Sequence, residues 1–380
     1  MTNVACILAR LSMTQSSAFC AGDVVQVRSK GEILATLDER GQLDGLPFMP
    51  EMFALCGQRF TVGKRAHKTC DPPNGRAGRR MLNTVHLENV RCDGSAHGGC
   101  QARCLSFWKD AWITKVADAA ARPPSATTAP PCSEIGVWAA ARDTARETGS
   151  SGPVFVCQST QLSAATQPLA SWDLRQYVED CTSGNARPAE VIGSFVAFLA
   201  QQVANAGIGL GTAVRFAFDG LQRLRGGTPY PWRTGLIRVG QSTPSTLLQL
   251  QPGELVRVKS YEDILETIDE NGHNRGLSFD AAMVPYCGGT YQVLARPQHI
   301  IDGKSGRVIE LQNPCVILDK VVWQGHFARH QLCPRGIYPY WREIWLERVD
   351  ATAGVAAAPR RPRLVAAPIE DNRRIAGSRA

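Results

Sequence analysis

Cys70, Cys92, His97, Cys100 and Cys104 are the residues of this chain whose types and spacing could do chemistry. The run Cys92-Asp-Gly-Ser-Ala-His97-Gly-Gly-Cys100-Gln-Ala-Arg-Cys104 sets three thiols and an imidazole in a Gly-rich loop, with Cys70 upstream. Four such ligands can close a tetrahedral site around zinc, and thiolates suit an iron–sulfur cluster equally. Glycines let a backbone fold tightly around an ion, and a Cys100/Cys104 pair four apart shares one face if that segment is helical. The expected metal set is therefore Cys70, Cys92, Cys100, Cys104 and His97, with zinc as the metal and an iron–sulfur cluster as the alternative. Against it stands the bland reading, in which the thiols pack or do redox chemistry.

The elements that must position these residues occur twice. Shifting the chain by 231 positions lays Gly22-Asp-Val-Val-Gln-Val-Arg-Ser29 on Gly253-Glu-Leu-Val-Arg-Val-Lys-Ser260, and the register holds to Val90 and Val321. Thr36, Phe48, Met52 and Cys56 thereby fall on Thr267, Phe279, Met283 and Cys287. After a two-residue insertion, His97, Cys100, Trp108 and Trp112 match His330, Cys333, Trp341 and Trp345. The second copy has Ile301, Trp323 and Ile337 where the first has Cys70, Cys92 and Cys104. Joint replacement by apolar residues is what a lost metal site would look like, because a leftover thiolate gains nothing without its cation.

His97-x-x-Cys100 and His330-x-x-Cys333 persist in both copies, as do Cys56 and Cys287. A second-copy site of His330, Cys333 and Cys287 is the corresponding candidate, His and Cys acting as base and nucleophile. Its neighbours would be Arg335, Tyr338, Tyr340 and Arg342. The competing reading makes these residues a fixed turn, a filled core and the last strand of the module. Lys64-Arg65-Ala-His67-Lys68 could meet a phosphate, though such runs are ordinarily solvated strand faces. Trp172-Asp173-Leu-Arg175-Gln-Tyr177 reads as an anchoring motif opening a helix.

Each copy opens with a strand alternation, Val25 and Val27 against Gln26 and Arg28. Ser29 with Glu32, and Ser260 with Asp263, predict capping boxes that start one or two helical turns stopping at Gly41 and Gly272. Further strands are expected at Phe60 to Val62, Val85 to Val90, Tyr291 to Leu294 and Val316 to Val322. Between the copies, helical patterns run over Glu134 to Glu147, Leu174 to Cys181 and Ala189 to Arg225, with Val191 to Ala204 read as a core helix. The expected fold is α+β: two repeated small β-barrel modules flanking a mainly helical insert, with a disordered C-terminal tail. The boundaries are an N-terminal segment at 1–21, a first module at 22–116, a linker at 117–132, the insert at 133–240, a second module at 241–350 and the tail at 351–380.

Gly-Asp-Val-Val-Gln-Val-Arg followed by Gly57-Gln-Arg-Phe-Thr-Val-Gly-Lys-Arg65 resembles SH3-like barrels, which implies a scaffold found in many accessory and binding subunits. Cys92-Asp-Gly-Ser-Ala-His97 resembles the CDGSH signature of small iron–sulfur proteins, with an extra Ala before His97 and no upstream Cys-x-Cys. The whole chain resembles a bacterial family of duplicated Cys-rich modules, a resemblance that implies no activity.

Composition bounds the rest. With 380 residues, 44% hydrophobic and 20% charged, the chain can bury sizeable cores. The charge of +8 is owed in half to the tail, where Arg360, Arg361, Arg363, Arg373, Arg374 and Arg379 face only Glu370 and Asp371. Nucleic acid is therefore disfavoured as a partner, and no stretch has the roughly 20 apolar residues of a membrane span. Thirteen cysteines, with no basic n-region ahead of the short run Val4 to Ala9, point to a reducing cytoplasm. Walker A, Rossmann, nucleophile-elbow and HExxH patterns are missing. The functional expectation is a cytoplasmic metal-binding accessory protein with a protein or small-molecule partner, the alternative being an enzyme with a metal or Cys/His site between the modules.

Overall fold

The computed structural model describes residues 19–70, 78–119, 132–144, 153–303, 305–327 and 331–349. The N-terminal segment to residue 18, residues 120–131 of the linker, His330 and the tail at 351–380 lie outside the described residues. The chain mixes helices with antiparallel sheets. The first sheet comprises β1 (Val24–Val27), β2 (Arg59–Arg65), β3 (Thr84–Arg91), β4 (Leu105–Lys109) and β5 (Ile113–Lys115), ordered β4-β3-β2-β1-β5. The second comprises β6 (Leu255–Val258), β7 (Thr290–Ala295), β8 (Cys315–Leu318), β9 (Trp341–Arg342) and β10 (Leu346–Arg348), ordered β9-β8-β7-β6-β10.

The alternation in β1 acts as a half-buried strand should: Val25 and Val27 sink into the first core and Val24 stays exposed. One bond repeats after another between the two sheets. Phe48 meets Trp108 and Trp112 edge-on, and Phe279 meets Trp341 and Trp345 in the same way. Trp112 Nε1 donates to Thr36 Oγ1 at 3.1 Å, and Trp345 Nε1 to Thr267 Oγ1 at 2.9 Å. Cys92 N bonds Cys104 O at 2.9 Å, and Trp323 N bonds Ile337 O at 2.7 Å. The last pair fixes the two-residue insertion between them.

Ser29 and Glu32 form the expected capping box, and the helices are single turns, Lys30–Leu34 and Tyr261–Leu265. They end well before Gly41 and Gly272, because Asp38 and Asp269 side chains accept backbone N–H groups from the residues that follow and turn the chain into a short hairpin. Strand β8 stops at Leu318, short of the expected Val322.

Helices in the insert span Glu134–Ala141, Arg175–Thr182, Pro188–Asn205 and Gly211–Arg225. Pro188–Asn205 is not a core helix. Its Val191, Ser194 and Ala197 are buried, while Ile192, Val196, Leu199 and Val203 form an exposed stripe. Its apolar residues surround the axis, so their number did not reveal which face is covered. Nor is Lys64 to Lys68 a solvated face. Arg65, His67 and Lys68 are buried, Arg65 pairing with Glu179 at 2.9 Å, and Lys68 and His67 with Asp180, on Arg175–Thr182. Gln176 and Tyr177 anchor that helix, whereas Trp172 ahead of it is exposed.

The two sheet regions also touch. Gln101 N donates to His299 O at 2.9 Å, Arg91 reaches Gly336 O at 2.9 Å, and its guanidinium lies 4.2 Å from the Tyr338 ring centre. Leu332 holds φ +61°, where its counterpart Gly99 holds +75°. It is buried against Tyr177, Ala186 and Val191 of the insert. Leucine pays about 1 kcal/mol for that backbone region, which this burial offsets.

Candidate functional site

The loop after β3 is built around Gly94. It has φ +78°, its carbonyl accepts His97 N and Gly99 N, and a Cβ there would fall 1.7 Å from Cys100 O. No other residue fits. Asp93 Oδ1 accepts both Ser95 N and Ser95 Oγ, closing the turn's outer side. The turn presents His97, fully buried, against the insert.

His97 is held at both nitrogens. Nδ1 lies 2.8 Å from Phe155 O and Nε2 lies 2.8 Å from Glu51 Oε1. Both partners are acceptors, so an uncharged ring cannot satisfy the two at once. Either a second proton or a cation beside the carboxylate resolves this. Donor atoms of Glu51, Cys92 and His97 all lie within 4.8 Å of one another, and the buried Glu51 Oε2 has no hydrogen-bond partner among the described residues. Burial first, then nearby Cys157 and Glu51, pushes the Cys92 thiol far up. Without a cation it is a protonated thiol.

The other three cysteines of the expected cage do not join that triangle, although Cys104 O accepts Cys92 N at 2.9 Å and the Cys104 charge reaches Cys92, Cys100 and Cys157. Among the described residues, no three cysteine sulfurs lie within 4.8 Å of one another. Cys70, ending the strand Lys68–Cys70, sits against Cys333, their sulfurs 3.6 Å apart. Cys100 faces the second sheet region and accepts Ile301 N at 3.3 Å. Cys104 lies near Cys157, a buried thiol of the insert whose pKa is raised by desolvation and then by Cys104. Of the expected set, Cys92 and His97 have donor atoms within 4.8 Å of each other, together with Glu51.

Glu51 was missed, and so was Cys157. Glu51 rides on the 3-10 helix Pro50–Leu55, whose counterpart is Ala281–Tyr286. Its match there is Ala282. The copy comparison thus held the signal, since Glu51 and Cys92 are replaced together by Ala282 and Trp323. Cys157, in the insert, has no counterpart to compare.

In the second copy, Cys287 packs at the edge of the core, and burial pushes its thiol up to about 12. His330 lies outside the described residues. Arg342 donates to the carbonyls of Asn274, Asn313 and Arg275, and Tyr338 stacks on Arg91. Arg335 stands apart, buried beside Cys70. Eleven described cysteines are free thiols, while Cys20 is disulfide-bonded. No helix among the described residues is long and apolar enough to cross a membrane. No protein-family model matches the chain, and no curated protein matches it.

Proposed function

We propose that the chain is a metal-binding accessory protein in which Glu51, Cys92 and His97 hold a divalent cation, zinc before any other. The observation that carries this is the meeting of a carboxylate, a thiol and an imidazole within 4.8 Å, with one carboxylate oxygen left orphaned. His97 Nδ1 on a backbone carbonyl is the outer-shell support that metal-bound imidazoles ordinarily have. A mixed O, S and N donor set suits zinc, whereas iron–sulfur clusters take mainly thiolates. The expected cage of Cys70, Cys92, Cys100 and Cys104 is thereby redrawn.

The scaffold in this reading is a duplicated SH3-like barrel. Its support is the shared strand order, a meander whose first strand lies between its second and fifth, with a 3-10 turn linking the fourth to the fifth. A cytoplasmic setting and a protein or small-molecule partner belong to the same reading; the eleven free thiols among the described residues support the setting, and the Cys20 disulfide counts against it.

A second reading is favoured by the count of donors. Three protein ligands leave a fourth position for water, the arrangement of catalytic zinc, and Glu51 retains some solvent contact. Purified protein prepared with zinc and iron supplied should retain one zinc per chain by elemental analysis, and Co²⁺ substitution should give a thiolate-to-metal absorption band. Protein that emerges free of any ion overturns both readings.

A further inference from the structure

Cys70 and Cys333 lie 263 positions apart and at the contact between the two halves, with the Cys333 thiol donating to the Cys70 sulfur at 3.6 Å. Cys70 is half-buried and Cys333 fully buried. Arg335 completes the group: Nη1 donates to Cys70 O and Nη2 to Ser159 Oγ, each at 3.2 Å. Arg335 is 8% exposed. Among the described residues no carboxylate lies within ion-pair distance of it, and the charges it senses are Cys70, Cys104 and Cys333. A buried guanidinium without a counter-ion is costly. A thiolate on Cys70 removes that cost.

The two sulfurs are unlike. The hydrogen bond from Cys333, with Arg335 behind it, holds the Cys70 thiol below the ordinary range, while the same bond and burial push Cys333 up. One is the nucleophile and the other a protonated reserve, the division found in reactive dithiols.

We propose that Cys70 and Cys333 form a redox-active dithiol, independent of the metal site, that reacts with hydrogen peroxide. The Cys70 thiolate attacks one peroxide oxygen; an S–O bond forms, the O–O bond breaks, and hydroxide leaves to become water with a proton from solvent. Cys70 is then a sulfenic acid, oxidised by two electrons as the peroxide is reduced. The Cys333 sulfur attacks it; an S–S bond forms, the S–O bond breaks, and the departing hydroxide takes the Cys333 proton and leaves as water. Two thiols and one peroxide thus give one disulfide and two waters. A small uncharged oxidant fits a site whose second sulfur is fully buried, and closing 3.6 Å to a bond of about 2 Å asks for little movement.

The test uses the full chain, folded, exposed to one equivalent of hydrogen peroxide, then denatured in an alkylating reagent and digested with trypsin. The expected product joins the peptide Thr69–Arg76 to His330–Arg335, lighter than the two free peptides by two hydrogens. Cys333→Ser should leave Cys70 trapped as a sulfenic acid by dimedone, and Cys70→Ser should leave Cys333 reduced. Alkylation of Cys70 in the untreated folded protein should titrate below the ordinary thiol range. Cys70 and Cys333 both alkylated after peroxide, Cys70 linked to another cysteine, or an ordinary titration midpoint would each overturn the proposal.

Discussion

Gln158 treats Phe107 as a strand neighbour would: its side-chain Oε1 accepts Phe107 N at 2.8 Å and its Nε2 donates to Phe107 O at 3.0 Å. The same Nε2 also donates to Pro47 O at 3.0 Å. One amide from the insert therefore caps the outer edge of β4, which ends the first sheet. Such an edge left bare and buried would carry unpaired backbone groups.

Gln158→Ala should destabilise the protein by about 3 kcal/mol, because a buried N–H and two carbonyls lose their partner at once. Gln158→Glu should be no milder, since a carboxylate would face the Phe107 and Pro47 carbonyls. Chemical denaturation midpoints measure both. Wild-type stability in either variant would remove Gln158 from the account.

Glu343 gathers the backbone N–H groups of Leu248, Gln249 and Leu250, at 2.5, 2.9 and 3.3 Å, and lies 3.4 Å from Arg296. Glu343→Gln turns one acceptor into a donor among donors and should cost about 2 kcal/mol. Hydrogen exchange at residues 248–250 should quicken. Unchanged protection there would show that the carboxylate does not hold the segment.

Metal retention separates the triangle from a thiolate cage. Glu51→Ala, Cys92→Ser and His97→Ala should each abolish zinc retention, while Cys70→Ser and Cys100→Ser should keep it. Retention is read by elemental analysis after dialysis against a weak chelator. Loss of metal from Cys70→Ser with retention by Glu51→Ala would restore the cage.

Acid should unfold the protein through two histidines. Burial drives the pKa of His86, and separately of His326, from 6.5 down to about 4. The folded state resists protonation there, so unfolding takes up protons between pH 6.5 and about 4. This stability is complete above pH 6.5 and falls as the pH drops through that window. At pH 5 each histidine should cost roughly 2 kcal/mol relative to pH 7. Thermal melts across pH 4 to 7.5 read the slope, which should shrink in His86→Asn; an equal slope in that variant would rule His86 out.

Local pattern was legible, and long-range meeting was not. The alternation of Val25 and Val27, the Ser29–Glu32 box, and Phe48 with Trp108 and Trp112 all depend on neighbours or on a repeated register. The sequence also pointed to Cys92 and His97, because Gly94 forces a tight turn. It could not show that Glu51 approaches them or that Cys70 turns away to Cys333, since those meetings depend on how the sheets and insert pack. The basic run at 64–68 misled for the same reason: Glu179 and Asp180, over a hundred positions on, neutralise it. Val191 to Ala204 misled through composition, which counts apolar residues but not the direction they face.

Leu332 closes a turn that Gly99 forms at no cost at the corresponding place in the first sheet region. Away from Tyr177, Ala186 and Val191, nothing would keep a leucine in that left-handed backbone, so the turn holds its shape on loan from two helices it does not belong to. The two sheet regions are not interchangeable parts: transplanted alone, the second would arrive without the mould that sets its own loop.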